Sequence, residues 1–185
     1  MGRIVLVTGG GRSGKSRHAM ERAMGYPAPR AFIATAEPCD DEMRERIERH
    51  RRERAGSFET IEEPVDLAAA LGRVPPGASV ALVDCLTVWL ANVMHRRGEA
   101  AREYPEVAAF VAALKASPCD VIAVTNEVGM GIIPTDSELS RRFRDQAGWL
   151  NQAVAAVADE VVLVVSGIPV VIKGNGNRSA TDGHR

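Results

Sequence analysis

Two stretches of the chain carry residue types that do chemistry, at the spacing chemistry needs. The first, Gly9-Gly10-Gly11-Arg12-Ser13-Gly14-Lys15-Ser16, fits G-x-x-x-x-G-K-[ST] at every fixed position. Glycines let a backbone wrap closely around an anion and aim N–H groups at it, and a helix opening at the end of the loop adds its positive dipole end. Lys15 would neutralise outer phosphates and Ser16 would hold Mg²⁺, so the stretch reads as a polyphosphate cradle. The second stretch, Arg44 to Arg54 (RERIERHRRER), sets one histidine, His50, among arginines.

A phosphate loop needs a carboxylate from a neighbouring strand to complete a Mg²⁺ shell, and Val80-Ala-Leu-Val-Asp84 supplies one at the carboxyl end of an apolar run. The competing reading of Asp84 is a strand stop or helix cap. Together the two motifs point to a nucleoside triphosphate. The N-K-x-D signature by which switch GTPases read the base is missing where it would fall, at Val124-Thr-Asn-Glu-Val128, which argues against that class.

Met43, Ile47, His50 and Arg54 share one helical stripe, placing His50 at the boundary of a semi-buried face. Two readings stay open. Glu42, Glu45, Glu48 and Glu53 interleave with the arginines at i,i+3 and i,i+4 spacing, as on a salt-bridged solvated face. Alternatively the guanidiniums recognise a triphosphate and disfavour the imidazolium form, leaving a neutral nucleophile able to form a phosphoramidate and relay a nucleotidyl group.

The elements that must position these residues alternate between short β-branched runs and longer helical periodicities, which defines an α/β chain with a parallel sheet. Central strands are expected at Ile4 to Thr8, Ala31 to Thr35, Val80 to Asp84, Val121 to Thr125 and Val161 to Val165, all nearly continuous apolar runs. Val170 to Lys173, after Pro169, reads as an edge strand, and Phe58 to Glu62 as another short one. Helices are expected over Lys15 to Met24, Asp40 to Arg54, Val65 to Leu71, Thr87 to Arg96, Tyr104 to Ala116 and Leu139 to Ala158. Val74 to Ala78 reads as a turn and Arg96 to Ala100 as a surface loop. Asn126 and Glu127, at the carboxyl end of a strand, are further site candidates. His18 reads equally as helix packing or as a functional residue, while Trp89 and Trp149 are read as core or interface residues.

The chain has 185 residues, 45% of them apolar, enough for one domain with a core that needs no disulfide or metal staple. A single domain over 1–173 and a polar, disordered tail over 174–185 are expected. A net charge of -1 argues against nucleic acid or an anionic membrane surface as partner. Cys39, Cys85 and Cys119 are too widely spaced for a zinc set and suit a reducing cytoplasm. The opening apolar run is too short for a secretory signal, and the longest later one, Val161 to Ile172, falls short of the roughly 20 residues of a membrane span.

Several stretches, taken in order, resemble the bifunctional adenosylcobinamide kinase / adenosylcobinamide-phosphate guanylyltransferase family of cobalamin biosynthesis. They are Val7 to His18, Ile33 to Thr35, Asp40 to Met43 with Arg46, Ile47 and His50, Val124 to Ile132, Arg142 to Asp145 with Ala147, Gly148, Asn151 and Gln152, and Ala158 to Val161 with Val165 to Ile168. The resemblance runs from about residue 4 to 173 and is weakest between Gly72 and Ser117, where the corrinoid-facing surface stays unassigned. It implies a RecA-like P-loop NTPase fold, a kinase step using ATP or GTP, and guanylyl transfer from GTP through His50 to adenosylcobinamide phosphate. It also implies nucleotide binding by the P-loop, by Ala34, Thr35 and Ala36, by Arg51, Arg52, Glu53 and Arg54, and by Glu62 and Asp84. Some relatives carry adjacent histidines where this chain has Arg49 before His50, leaving one candidate nucleophile in that helix. A homo-oligomer, with a trimer as the plausible state, is a further implication. Rival readings are a P-loop small-molecule kinase without guanylyl transfer, and a non-catalytic GTP-binding regulatory module.

Overall fold

A computed structural model of the protein describes residues 2–38, 41–54, 56–98, 101–131 and 137–174; within the helix over 41–54, the side chains at 42, 43, 46, 49, 50 and 53 fall outside the description. The elements run β1 (Ile4–Gly9), α1 (Lys15–Met24), β2 (Arg30–Ala34), α2 (Asp41–Arg54), β3 (Glu59–Glu62), α3 (Leu67–Gly72), β4 (Val80–Asp84), α4 (Leu86–Arg97), α5 (Pro105–Ala116), β5 (Asp120–Val124), α6 (Glu138–Val157), β6 (Glu160–Val165) and β7 (Ile168–Lys173). The strands form one sheet in the order β3-β2-β4-β5-β1-β6-β7, parallel throughout except for the β6–β7 hairpin.

Alternation along each strand divides the core into two layers. Ile4, Leu6, Ile33, Val83, Val121 and Ala123 face α3 to α6, where Leu67, Trp89, Leu90, Phe110, Leu114 and Leu150 close the larger cluster. Val5, Val7, Phe32, Leu82, Ile122, Val124 and Val164 face the other way, against Ala19 and Ala23 of α1. Burial on both faces explains the unbroken apolar runs of the inner strands. Trp89 is fully buried and its indole N–H donates to the Val65 carbonyl at 2.6 Å.

Most expected elements occur within a residue or two of their sequence-read bounds, and the departures have local causes. α3 starts at Leu67, not Val65, because the Asp66 carboxylate accepts from the Ala69 N–H and caps the helix there. α4 continues through Arg97, so the loop read from Arg96 opens only at Gly98, whose φ of 79° ends the helix. Residues 99 and 100 of that loop and residues 175–185 of the tail lie outside the described residues. β7 begins at Ile168 and takes in Pro169, tolerable on an edge strand. Among the described residues, no helix is long and apolar enough to cross a membrane.

Candidate active site

β1 ends at Gly9 and releases the chain into the glycine loop, which returns as α1 at Lys15. Two of its glycines are obligatory. Gly14 has φ 95°, and a Cβ there would approach the Gly167 Cα to 3.3 Å; Gly9 has φ 156°, and a Cβ there would lie 2.5 Å from the Val164 carbonyl oxygen. The loop is braced from the β6–β7 turn, since the Gly167 N–H donates to the Ser13 carbonyl at 2.8 Å. Gly10 and Gly11 are exposed, with open space where a Cβ would stand. Lys15 is buried and its Nζ donates to the Gly10 carbonyl at 3.1 Å, which folds the ammonium back over the loop.

This loop forms one wall of a cleft of about 1340 Å³ at the carboxyl ends of the parallel strands, where open α/β sheets bind ligands. Of the residues singled out from sequence, Gly10, Gly11, Arg12, Lys15 and Ser16 line it from the loop, and Ala34, Thr35 and Ala36 from the end of β2. Glu62 lines it from β3, Asp84 from β4, and Arg51 and Arg54 from α2. Gly9, Ser13, Gly14 and Arg52 do not line it; the first three shape the loop from behind. The side chains of His50 and Glu53 lie outside the described residues.

Several of these groups are engaged inside the chain. The Thr35 hydroxyl accepts from the Cys85 N–H and donates to the Cys85 carbonyl, both at 2.9 Å, and the Thr35 N–H donates to the Asp84 carbonyl. Thr35 thereby fixes the backbone that carries Asp84. The Arg54 guanidinium lies 3.8 Å above the Phe32 ring, and Arg51 is ion-paired with Glu62, so the carboxyl end of α2 is fastened to β2 and β3. Burial, and then the Asp84 charge, push the Cys85 thiol up to about 11, which keeps this cleft residue protonated at neutral pH.

Residues given no site role from sequence also reach the cleft, among them Phe32, Glu48, Cys85 and Val88, as does Arg44 from the start of the arginine run. Arg44 and Glu48 were legible only as part of a charge run. Phe32 and Cys85 read as strand and strand-end residues, with no signal of their own. Asn126 and Glu127, held as candidates, line it from beyond β5. Behind them the Thr125 hydroxyl donates to Asn151 Oδ1 at 2.7 Å, and Asn151 Nδ2 donates to the Asn126 carbonyl at 3.0 Å.

A strand–glycine loop–helix unit beside a strand-end aspartate, in a parallel sheet, defines a P-loop nucleotide-binding protein. Solved structures agree at the level of fold. The chain is similar to a KaiC-like protein from Pyrococcus horikoshii (TM-score 0.54, 18% identity, covering 96% of this chain and 82% of that one). It is likewise similar to the flagellar accessory protein FlaH from Methanocaldococcus jannaschii (TM-score 0.52, 11% identity, 94% and 79% covered).

Sequence comparison narrows the class. The family model "Cobinamide kinase / cobinamide phosphate guanyltransferase" matches residues 5–172. The bifunctional adenosylcobalamin biosynthesis protein CobP of Pseudomonas aeruginosa is 42% identical over 173 residues, 91% of this chain and 96% of that protein. The bifunctional adenosylcobalamin biosynthesis protein CobU of Escherichia coli is 42% identical over 182 residues, 92% and 99% of the two. The chain belongs to the cobinamide kinase / cobinamide phosphate guanyltransferase family.

Proposed function

We propose that this protein phosphorylates adenosylcobinamide with ATP or GTP and then transfers GMP from GTP, by way of His50, to adenosylcobinamide phosphate, yielding adenosylcobinamide-GDP. The observation that carries the reading is the shared cleft. The phosphate loop and Asp84 form one side of it, and Ile47, Arg51 and Arg54 of α2 line another. Helical position 50 follows Ile47 by three residues and precedes Arg54 by four, on the stripe those two mark.

In the first step the hydroxyl of the aminopropanol arm attacks the γ-phosphorus, and the nucleoside diphosphate leaves. Loop N–H groups and Lys15 hold the phosphates in line. Ser16 and Asp84 offer the hard oxygen donors that suit Mg²⁺, an ion that otherwise keeps waters and phosphate oxygens. Bound there, it would neutralise charge between the outer phosphates. In the second step the neutral imidazole of His50 attacks the α-phosphorus of GTP and pyrophosphate leaves. A phosphate oxygen of adenosylcobinamide phosphate then displaces the imidazole and takes the GMP. Arg51 and Arg54 supply positive charge beside the attacked phosphate.

The working unit is read as residues 1–173, a cytoplasmic protein acting on small molecules. Self-association is part of the reading. The β7 edge exposes Ile168, Val170, Val171 and Ile172, and Trp149 is 60% exposed on α6, apolar surface of the kind an assembled homo-oligomer such as a trimer would cover.

Intact-mass spectrometry after incubation with GTP and Mg²⁺, kept alkaline because phosphoramidates are acid-labile, tests the reading. The expected result is a GMP-sized adduct on the wild type and none on His50→Ala. Absence of the adduct in wild-type protein that binds GTP would leave a kinase without guanylyl transfer.

A further inference from the structure

We propose that Glu127 is the catalytic base of the phosphoryl-transfer step, the group that takes the proton from the acceptor hydroxyl. The inference rests on the kinase half of the function proposed above. It starts from the strand order. β5 is inserted between β4 and β1, and Val124 at its end is paired with Asp84 on one side and with Val7 on the other. The chain leaving β5 therefore emerges between the strand-end aspartate and the strand that feeds the phosphate loop. Three residues on stands Glu127, whose N–H donates to the Gly9 carbonyl at 3.1 Å and whose residue lines the cleft with Lys15 and Asp84.

The two oxygens of this carboxylate are treated differently. Oε1 accepts from the Thr8 hydroxyl at 2.5 Å and from Asn151 Nδ2 at 3.2 Å. Asn151 is itself held by Thr125, which also contacts Thr87. Oε2 accepts no hydrogen bond among the described residues, and Glu127 makes no ion pair among them. A purely structural role would not need the charge, since a glutamine oxygen could accept from Thr8 and Asn151 equally well. Neutral donors fix one oxygen and direct the other, which is how a scaffold pre-organises a group for chemistry.

Proton bookkeeping then closes. The acceptor oxygen forms its bond to the γ-phosphorus while its proton passes to Glu127 Oε2. The bond from the γ-phosphorus to the β–γ bridging oxygen breaks, and its electron pair leaves on the nucleoside diphosphate. Glu127 returns the proton to solvent after product release. Asp84 and Ser16 are not needed for this task, because both are the oxygen donors assigned to Mg²⁺ in the same cleft.

The full-length protein is assayed with ATP or GTP and adenosylcobinamide, and separately with GTP alone for the GMP adduct. Glu127→Gln is expected to lower kcat for phosphoryl transfer by about 10²- to 10⁴-fold. Nucleotide KM and adduct yield should stay at wild-type values, and Glu127→Asp should recover part of the rate. Thr8→Val, which keeps the charge and loosens Oε1, should lower kcat less and also spare nucleotide KM. A Glu127→Gln kcat within about threefold of wild type would overturn the proposal. So would joint loss of kinase, adduct and nucleotide binding in that variant, which would make Glu127 a builder of the cradle. Wild-type protein that forms the adduct but phosphorylates no corrinoid would instead overturn the kinase reading, before any variant is compared.

Discussion

Arg51, near the end of α2, is ion-paired across the cleft mouth with Glu62, the last residue of β3. Both side chains are more than half exposed, so the pair contributes little to folding, about 0–1 kcal/mol. Both partners line the cleft, and under the function proposed above each would give up the other when GTP binds. Glu62→Gln is therefore expected to change the melting temperature by no more than about 2–4 °C while weakening GTP binding severalfold. A thermal scan beside calorimetric titration with GTP checks this, and a variant losing stability but not affinity would mark the pair as structural.

That pair also shows where sequence reading stops. The glycine loop was legible because its residues are contiguous and the flanking strand and helix have clear periods. Asp84 was legible as the polar end of an apolar run. The insertion of β5 between β4 and β1 was not, because strand order is decided by packing of crossover helices, and it is this order that gives Glu127 its place. Thr35 lines the cleft as its place in the sequence suggests, but the bond of its hydroxyl to Cys85, fifty positions away in the chain, had no sequence signal. Val170 and Val171 have the composition of a buried strand but stand exposed, and no alternation of residue types distinguishes those cases.

Glu160, the first residue of β6, takes two hydrogen bonds from Arg22, at 2.6 and 2.8 Å, and one from Arg3 at 2.7 Å. The Arg22 bonds hold its carboxyl below the usual carboxylate range. A depressed folded-state value means that the stabilisation is fully present above the ordinary 4.5 and fades as pH falls through it toward the folded value. Glu160→Gln should cost about 2 kcal/mol at pH 7. Urea unfolding of the two proteins across pH 7 to 3 should show their difference shrinking below pH 4.5; a gap constant with pH would show that packing, not charge, is lost.

Cys85 borders the cleft beside Asp84, and with its thiol near 11 instead of 9.0 it carries about a hundredfold less thiolate than an ordinary cysteine at pH 8. Peptide mapping after brief iodoacetamide treatment should find Cys85 unmodified in the native protein and alkylated after denaturation. Removing the neighbouring charge with Asp84→Asn should raise its labelling rate. Rapid native labelling at pH 8 would show that the cleft around β4 is more open to solvent than its burial indicates.

Gly14 joins the cradle to the rest of the sheet. Its φ of 95° strains any residue with a Cβ, and a Cβ there would press to 3.3 Å on the Gly167 Cα, while the Gly167 N–H holds the Ser13 carbonyl. Alanine at position 14 would push the β6–β7 turn away and strain the loop, at a cost of about 1–3 kcal/mol. Because the displaced backbone includes the loop N–H groups proposed to bind phosphate, affinity should fall further than stability does. Gly10→Ala is the internal control: a Cβ there meets nothing within 4 Å, so folding should be unchanged. The expected order of GTP affinity is wild type, then Gly10→Ala, then Gly14→Ala, read by equilibrium titration with Mg²⁺ present. Equal affinity for wild type and Gly14→Ala would mean that the loop re-forms around the ligand without support from the hairpin.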